Sequence, residues 1–218
     1  MRRTLGWSQV ALFACAALLL SYCGFVMVDA WVFQQRESRD LNRLLANHPL
    51  ASHSKVKLER ATAVLARGLI GRLEIPRLGL SAMLIEGDDQ KTLRRAVGHI
   101  PGTPLPGQPG NAALTGHRDT FFRPLRNIRA SDIIVVTTLQ GQYRYRVVST
   151  RVVSPDNVAV LNPSAGEILT LVTCYPFYFV GAAPDRFIVL AKRLAPEGSR
   201  DDVQSISSAQ TGPGGPNL

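Results

Sequence analysis

The sequence is short of cysteine, histidine and clustered acid. Three cysteines and four histidines occur in 218 residues. Cys15 and Cys23 fall inside an uncharged apolar run over residues 10–28, which leaves Cys174 without a disulfide partner in the rest of the chain. A disulfide framework is therefore excluded. His48 and His53 have no cysteine or carboxylate cluster near them at metal-ligand spacing. The carboxylates Glu74, Glu86, Asp88 and Asp89 are too dispersed to claim a calcium site. A glycine-rich phosphate loop and internal repeats are also lacking, which argues against nucleotide-phosphate chemistry and against a solenoid. The net charge is +9 and mostly arginine, yet aromatic residues make up only 7 % of the chain. No basic run is interleaved with aromatics, so no nucleic-acid partner is expected.

What is present begins with the apolar run. Arg2 and Arg3 precede it, and at ~1.5 Å per residue its ~19 residues span about 28 Å, close to the ~30 Å of a bilayer's hydrocarbon core. Residues 26–31 make a poor small-x-small cleavage site, and Trp31 suits a membrane interface. We therefore expect a single-pass anchor in the cell membrane, in contact with lipid. Its N-terminus would be cytoplasmic and the rest of the chain extracytoplasmic. An unpaired thiol in an oxidising compartment is a hazard unless it has a function.

Residues 34–66 carry leucine, valine and alanine at helical spacing and predict two amphipathic helices broken near His48 and Pro49. From residue 69 the period changes. Strands are expected over 69–75, 78–85, 97–100, 111–117, 133–138, 142–153, 168–173 and 186–191. A short helix over 89–95 would be capped by Asp88, and residues 121–125 suit a helical turn. The Pro- and Gly-rich stretch 101–110 is irregular. Little helix and many short strands point to an all-β barrel or sandwich. The expected division is 1–33 as stub and anchor, 34–68 as helical linker, 69–194 as β-domain and 195–218 as a disordered tail.

Cys174 stands where one apolar strand ends, and Arg186 where the next begins. Antiparallel pairing would make them neighbours although roughly a dozen residues separate them. A thiol becomes a good nucleophile only with a base or a positive neighbour. His117, at another strand end beside Gly116, is the natural proton carrier. Arg186 would hydrogen-bond an oxyanion or substrate carbonyls. The intervening loop holds Tyr175, Phe177, Tyr178 and Phe179, which either line a groove or pack on the barrel.

At these residues the chain resembles the sortases. Thr170-Leu171-Val172-Thr173-Cys174 is similar to their TLxTC signature, and Leu114-Thr115-Gly116-His117 to their histidine segment. Arg186 stands about where sortases carry their arginine. The run from Gly116 to Leu125 and the continuation Cys174-Tyr175-Pro176-Phe177 look most like class D sortases and their Gram-negative relatives. The resemblance implies an eight-stranded barrel and a cysteine transpeptidase; no cofactor or metal is expected, since the carboxylates are too dispersed for the calcium site that some sortases carry. Such an enzyme cleaves an LPxTG- or LPxTA-like sorting signal after Thr, holds a thioester on Cys174 and passes it to an amine of the envelope. By position, Thr173 would contact substrate and the Tyr175 backbone N–H would help form an oxyanion hole. Three alternatives stay open: a hydrolase of the same fold, a noncatalytic envelope-binding barrel, and a zinc site built from His99, His117 and Cys174.

Overall fold

The computed structural model describes residues 2–46, 68–179 and 181–195. Helix α1 (Arg2–Ala46) is 45 residues long. No proline or glycine pair interrupts it, so the residues expected to start a separate linker helix simply continue it. The expected break at His48 and Pro49 lies outside the described residues, as does the tail beyond residue 195. Phe13, Leu18, Leu19, Leu20 and Phe25 are exposed on all sides of the helix, and its most apolar stretch is long enough to cross a membrane. A helix apolar all round without protein contacts is suited to lipid.

The last turns of α1 do have protein contacts. Asp29 takes two hydrogen bonds from the Arg95 guanidinium, at 2.8 and 3.2 Å. The Gln34 side chain accepts from the Met83 N–H at 2.8 Å and donates to the Arg95 carbonyl at 2.6 Å. Leu41 is fully buried against Leu69, Met83, Ile85 and Ala96. One continuous helix therefore leads from the apolar stretch onto the side of the β-domain.

Eight strands form that domain: β1 (Leu69–Ile75), β2 (Leu80–Glu86), β3 (Val97–His99), β4 (Gly110–Thr115), β5 (Ile133–Thr138), β6 (Gln142–Val153), β7 (Glu167–Tyr175) and β8 (Asp185–Arg193). They close into a barrel in the order β1-β2-β3-β4-β7-β8-β6-β5. Alternation drives the closure. In β1 Leu69, Gly71, Leu73 and Ile75 are buried, while the residues between them face outward, as period-2 patterning requires. Leu73, Leu84, Leu114, Phe122, Leu125, Ile134, Leu169 and Leu171 fill the interior.

Three local readings are corrected. Pro76–Leu78 forms a 3-10 turn that Gly79 ends in the left-handed region at φ 61°, so β2 starts later than expected. Helix α2 (Gln90–Arg95) is capped by Asp89 and not Asp88, because only the Asp89 carboxylate reaches the N–H groups of Lys91 and Thr92. The helical turn is a 3-10 segment over Arg123–Asn127 rather than 121–125.

A buried carboxylate ties the 3-10 turn at residue 76 to the entry of β5. Asp132 accepts a bond from Arg77 Nε and another, at 2.6 Å, from Nη2, and it also accepts from the Arg129 N–H at 2.8 Å. The Arg77 guanidinium holds this carboxyl below the usual carboxylate range. A depressed folded-state pKa stabilises above the unfolded value, and the contribution is lost as pH falls through the folded value. Asp132→Ala is expected to cost about 1–2 kcal/mol at neutral pH. Thermal melts of the full chain in detergent should show that difference shrinking in acid below the ordinary carboxylate pKa. An undiminished difference there would mean that the ion pair is not its source.

Candidate active site

Strand register brings two of the three chemical groups together. Cys174 and Arg186 are direct partners in the antiparallel β7–β8 pair. Directly opposed residues share a face of the sheet, so sulfur and guanidinium project to the same side. On the other side of β7, β4 runs parallel, with Thr115 level with Val172. The pairing continues past the end of β4. The Gly116 N–H donates to the Val172 carbonyl at 3.3 Å, and the buried Thr173 hydroxyl donates to the Gly116 carbonyl at 2.7 Å. The residues directly before His117 and Cys174 are therefore tied to each other. Cys174, His117 and Arg186 are all half-buried, neither sealed in the core nor lost to solvent.

Local structure fixes His117 and Arg186. The His117 carbonyl accepts from the N–H groups of Thr120 and Phe122, at 3.3 and 3.2 Å, which turns the chain away immediately after the imidazole. Gly116 serves there by its lack of bulk and not by a special backbone angle: a Cβ would lie 2.9 Å from the Phe122 ring. Arg186 Nη1 donates to the carbonyls of Asp185 at 3.0 Å and Ala183 at 3.4 Å, which seats the guanidinium at the root of β8.

Thr173 is 2 % exposed. Its hydroxyl is engaged by Gly116, so it braces the histidine segment and does not present a free hydroxyl to substrate. Tyr175 closes β7 opposite Asp185. Its ring stacks on Phe187 at 6.2 Å and meets Phe177 edge-on at 6.0 Å, while Phe177 and Phe187 lie 5.3 Å apart. The start of the loop thus packs on the barrel. Tyr178 and Phe179 face solvent, at 76 % and 45 % exposed.

His99 has a structural place. Its ring is 2 % exposed, with Nδ1 2.8 Å from Glu86 Oε2 and Nε2 3.0 Å from both the Pro104 carbonyl and the Thr103 hydroxyl. With both nitrogens engaged, it is not a free ligand for zinc. Glu86 is committed to His99 and Asp89 to its cap. Among the described residues no three His, Cys, Asp or Glu side chains stand together as a metal site.

The sequence reading overlooked Arg118. It is buried and donates to three carbonyls of the β7–β8 loop. No side-chain signal could have revealed partners that are backbone oxygens some sixty residues away.

The barrel agrees with what is found among known proteins. The sortase-domain family model matches residues 73–194, more than half the chain. The chain belongs to the sortase family. It is 31 % identical over 194 residues to Sortase D of Bacillus subtilis (strain 168), covering 85 % of this chain and 98 % of that one. Among solved structures it is similar to a Clostridium perfringens sortase D5 transpeptidase, with a TM-score of 0.59 at 26 % identity over 73 % of this chain and 98 % of that one. Sortase C-1 from Actinomyces oris superposes with a TM-score of 0.55 at 25 % identity, covering 74 % of this sortase and 99 % of the other. Sortases are cysteine transpeptidases, and this one keeps a single thiol outside its apolar helix. The eight-stranded barrel that the resemblance implied is the observed fold.

Proposed function

We propose that this sortase is anchored in the cell membrane by α1 and transfers sorting-signal proteins to an amine of the envelope. The supporting observations are the register that pairs Cys174 with Arg186 and the hydrogen bond from Thr173 to Gly116, which ties together the residues directly before Cys174 and His117. The division into anchor (1–33), linker (34–68), barrel (69–194) and tail (195–218) belongs to the same proposal. The N-terminus is cytoplasmic and the barrel extracytoplasmic.

The Cys174 thiolate attacks the Thr carbonyl carbon of an LPxTG- or LPxTA-like signal. Carbonyl electrons move onto oxygen, and the Tyr175 backbone N–H and the Arg186 guanidinium receive the resulting oxyanion. Arg186 has five N–H donors. The two on Nη1 serve the loop carbonyls, which leaves Nε and Nη2 as the substrate side of the fork. The tetrahedral intermediate collapses as the His117 imidazolium protonates the departing amine. The product is a thioester between the Thr carbonyl and Sγ. An incoming amine then attacks, gives its proton to His117 and expels the thiolate, which restores both groups.

Arg186→Ala is expected to lower kcat/KM by about 10²–10³-fold, the usual cost of one oxyanion donor. Arg186→Lys should recover only part, since a point charge cannot hold both the loop carbonyls and the oxyanion. The test is to incubate the full chain in detergent with an LPxTA peptide plus an amine such as diaminopimelate or a glycine peptide. A ligated peptide that depends on Arg186 supports the proposal. Hydrolysis alone at saturating amine would replace transfer by water-mediated release, and unchanged kinetics in Arg186→Ala would remove the oxyanion role.

A further inference from the structure

The steps above make no use of Arg118, although it is the charged side chain that lies deepest beside them, at 6 % exposed. A guanidinium taken out of water is costly unless its donors are satisfied. This one is satisfied mainly by backbone. Nη1 donates to the Pro176 carbonyl at 3.1 Å, and Nη2 to the carbonyls of Phe179 and Gly181 at 2.7 and 2.8 Å. Its carbon also lies 6.0 Å from the centre of the Phe179 ring. The neighbouring Asp119 carboxylate, 3.5 Å from Nε, is 71 % exposed, where water and salt weaken its pull. The geometry is that of a fork that grips a loop.

The position of that grip matters. Arg118 directly follows His117, and Pro176 lies two residues beyond Cys174. Thr173, directly before Cys174, holds the carbonyl of Gly116, directly before His117. Two cross-links therefore flank the imidazole and the thiol, one on each side along the chain. The Thr173 link alone would act as a pivot; the Arg118 link stops rotation about it.

We propose that Arg118 is a positioning residue: it locks the β7–β8 loop to the histidine segment and so sets His117 against Cys174. The proposal rests on the transpeptidase reading and deepens it. Displacement of reacting groups by about an ångström can cost 10²-fold in rate, so the effect should fall on kcat more than on KM. Lysine keeps the charge but cannot span three carbonyls.

The test compares Arg118→Gln, Arg118→Lys, His117→Ala and the double variant Arg118→Gln/His117→Ala as full chains in detergent. Circular dichroism first fixes a temperature at which each is folded. Both Arg118 variants are expected to lose about 10–100-fold in kcat, with KM within about threefold. In the His117→Ala background Arg118→Gln should add less than about twofold, because the group it positions is gone. Wild-type kcat in Arg118→Gln would overturn the proposal, as would full recovery by lysine or two losses that simply multiply. Should Arg118→Gln not fold, Arg118→Lys carries the same cycle. Should the wild-type chain turn over no peptide, the iodoacetamide reaction rate of Cys174, followed by peptide mapping, replaces kcat. That rate should then change on Arg118→Gln and not further in the His117→Ala background, so failure of the transpeptidase reading would not hide the answer.

Discussion

Cys174→Ala is expected to leave no acyl-enzyme and no ligated product at any peptide concentration. The cycle runs through the Sγ thioester, whose S–C bond forms as the peptide C–N bond breaks and breaks as the new C–N bond forms, and the other thiols, Cys15 and Cys23, lie on the apolar helix. Neither Arg186 nor the Tyr175 N–H can substitute, because they stabilise an oxyanion that forms only after attack. The fold should tolerate the change. Cys174 is half-buried, so removing one sulfur should shift stability by about 1 kcal/mol or less. Intact-mass detection of the adduct and chromatography of the product read the first outcome, and a thermal melt reads the second. Wild-type turnover by Cys174→Ala would remove the nucleophile from the mechanism.

His117→Ala should reduce turnover of a peptide amide by about 10²–10⁴-fold, the range of general acid–base catalysis. Expulsion of an amine needs a proton on nitrogen, and the bond from Thr173 to Gly116 ties the residue before Cys174 to the residue before His117. The discriminating comparison is with an activated ester of the same peptide, whose leaving group departs without protonation. Measured on both substrates, His117→Ala should lose much less on the ester than on the amide. Equal losses on the two would place His117 outside leaving-group protonation and leave it a role in generating the thiolate.

Local periodicity carried much of this fold. Residues 69–75, 133–138 and 142–153 were legible as strands because each alternates or is uniformly β-branched, and β1, β5 and β6 occupy those spans. Cys174 and Arg186 were legible as neighbours because a strand, a loop and a strand can close antiparallel. Position 117 was harder to place. The strand that leads to it pairs parallel to β7, a long-range choice that no local pattern encodes.

Other features depend on atoms that a one-letter code does not distinguish. Asp88 and Asp89 are equivalent by composition, and only backbone direction chooses the cap. Thr173 matched a signature position and looked substrate-facing; strand parity instead puts its hydroxyl on the Gly116 carbonyl. Residues 158–161, a 3-10 turn in the structure, gave no strand or helix signal. That turn is held from within the barrel wall by the buried Asn111, whose amide donates to the carbonyls of Val160 and Asn162 and accepts from Thr170. The continuity of α1 from the apolar stretch to Ala46 was equally illegible, since the change to polar residues from 34 onward looks like the start of a new helix.

The most direct measurement is tandem mass spectrometry of the full wild-type chain, quenched in acid within seconds of mixing with an LPxTA peptide and no added amine. Expected is a mass increase equal to the peptide truncated after Thr, mapped to the tryptic fragment that contains Cys174 and released by hydroxylamine. Under the same quench, an unmodified Cys174 alongside cleaved peptide, or an adduct carried on another residue, would contradict nucleophilic catalysis at the β7 strand end.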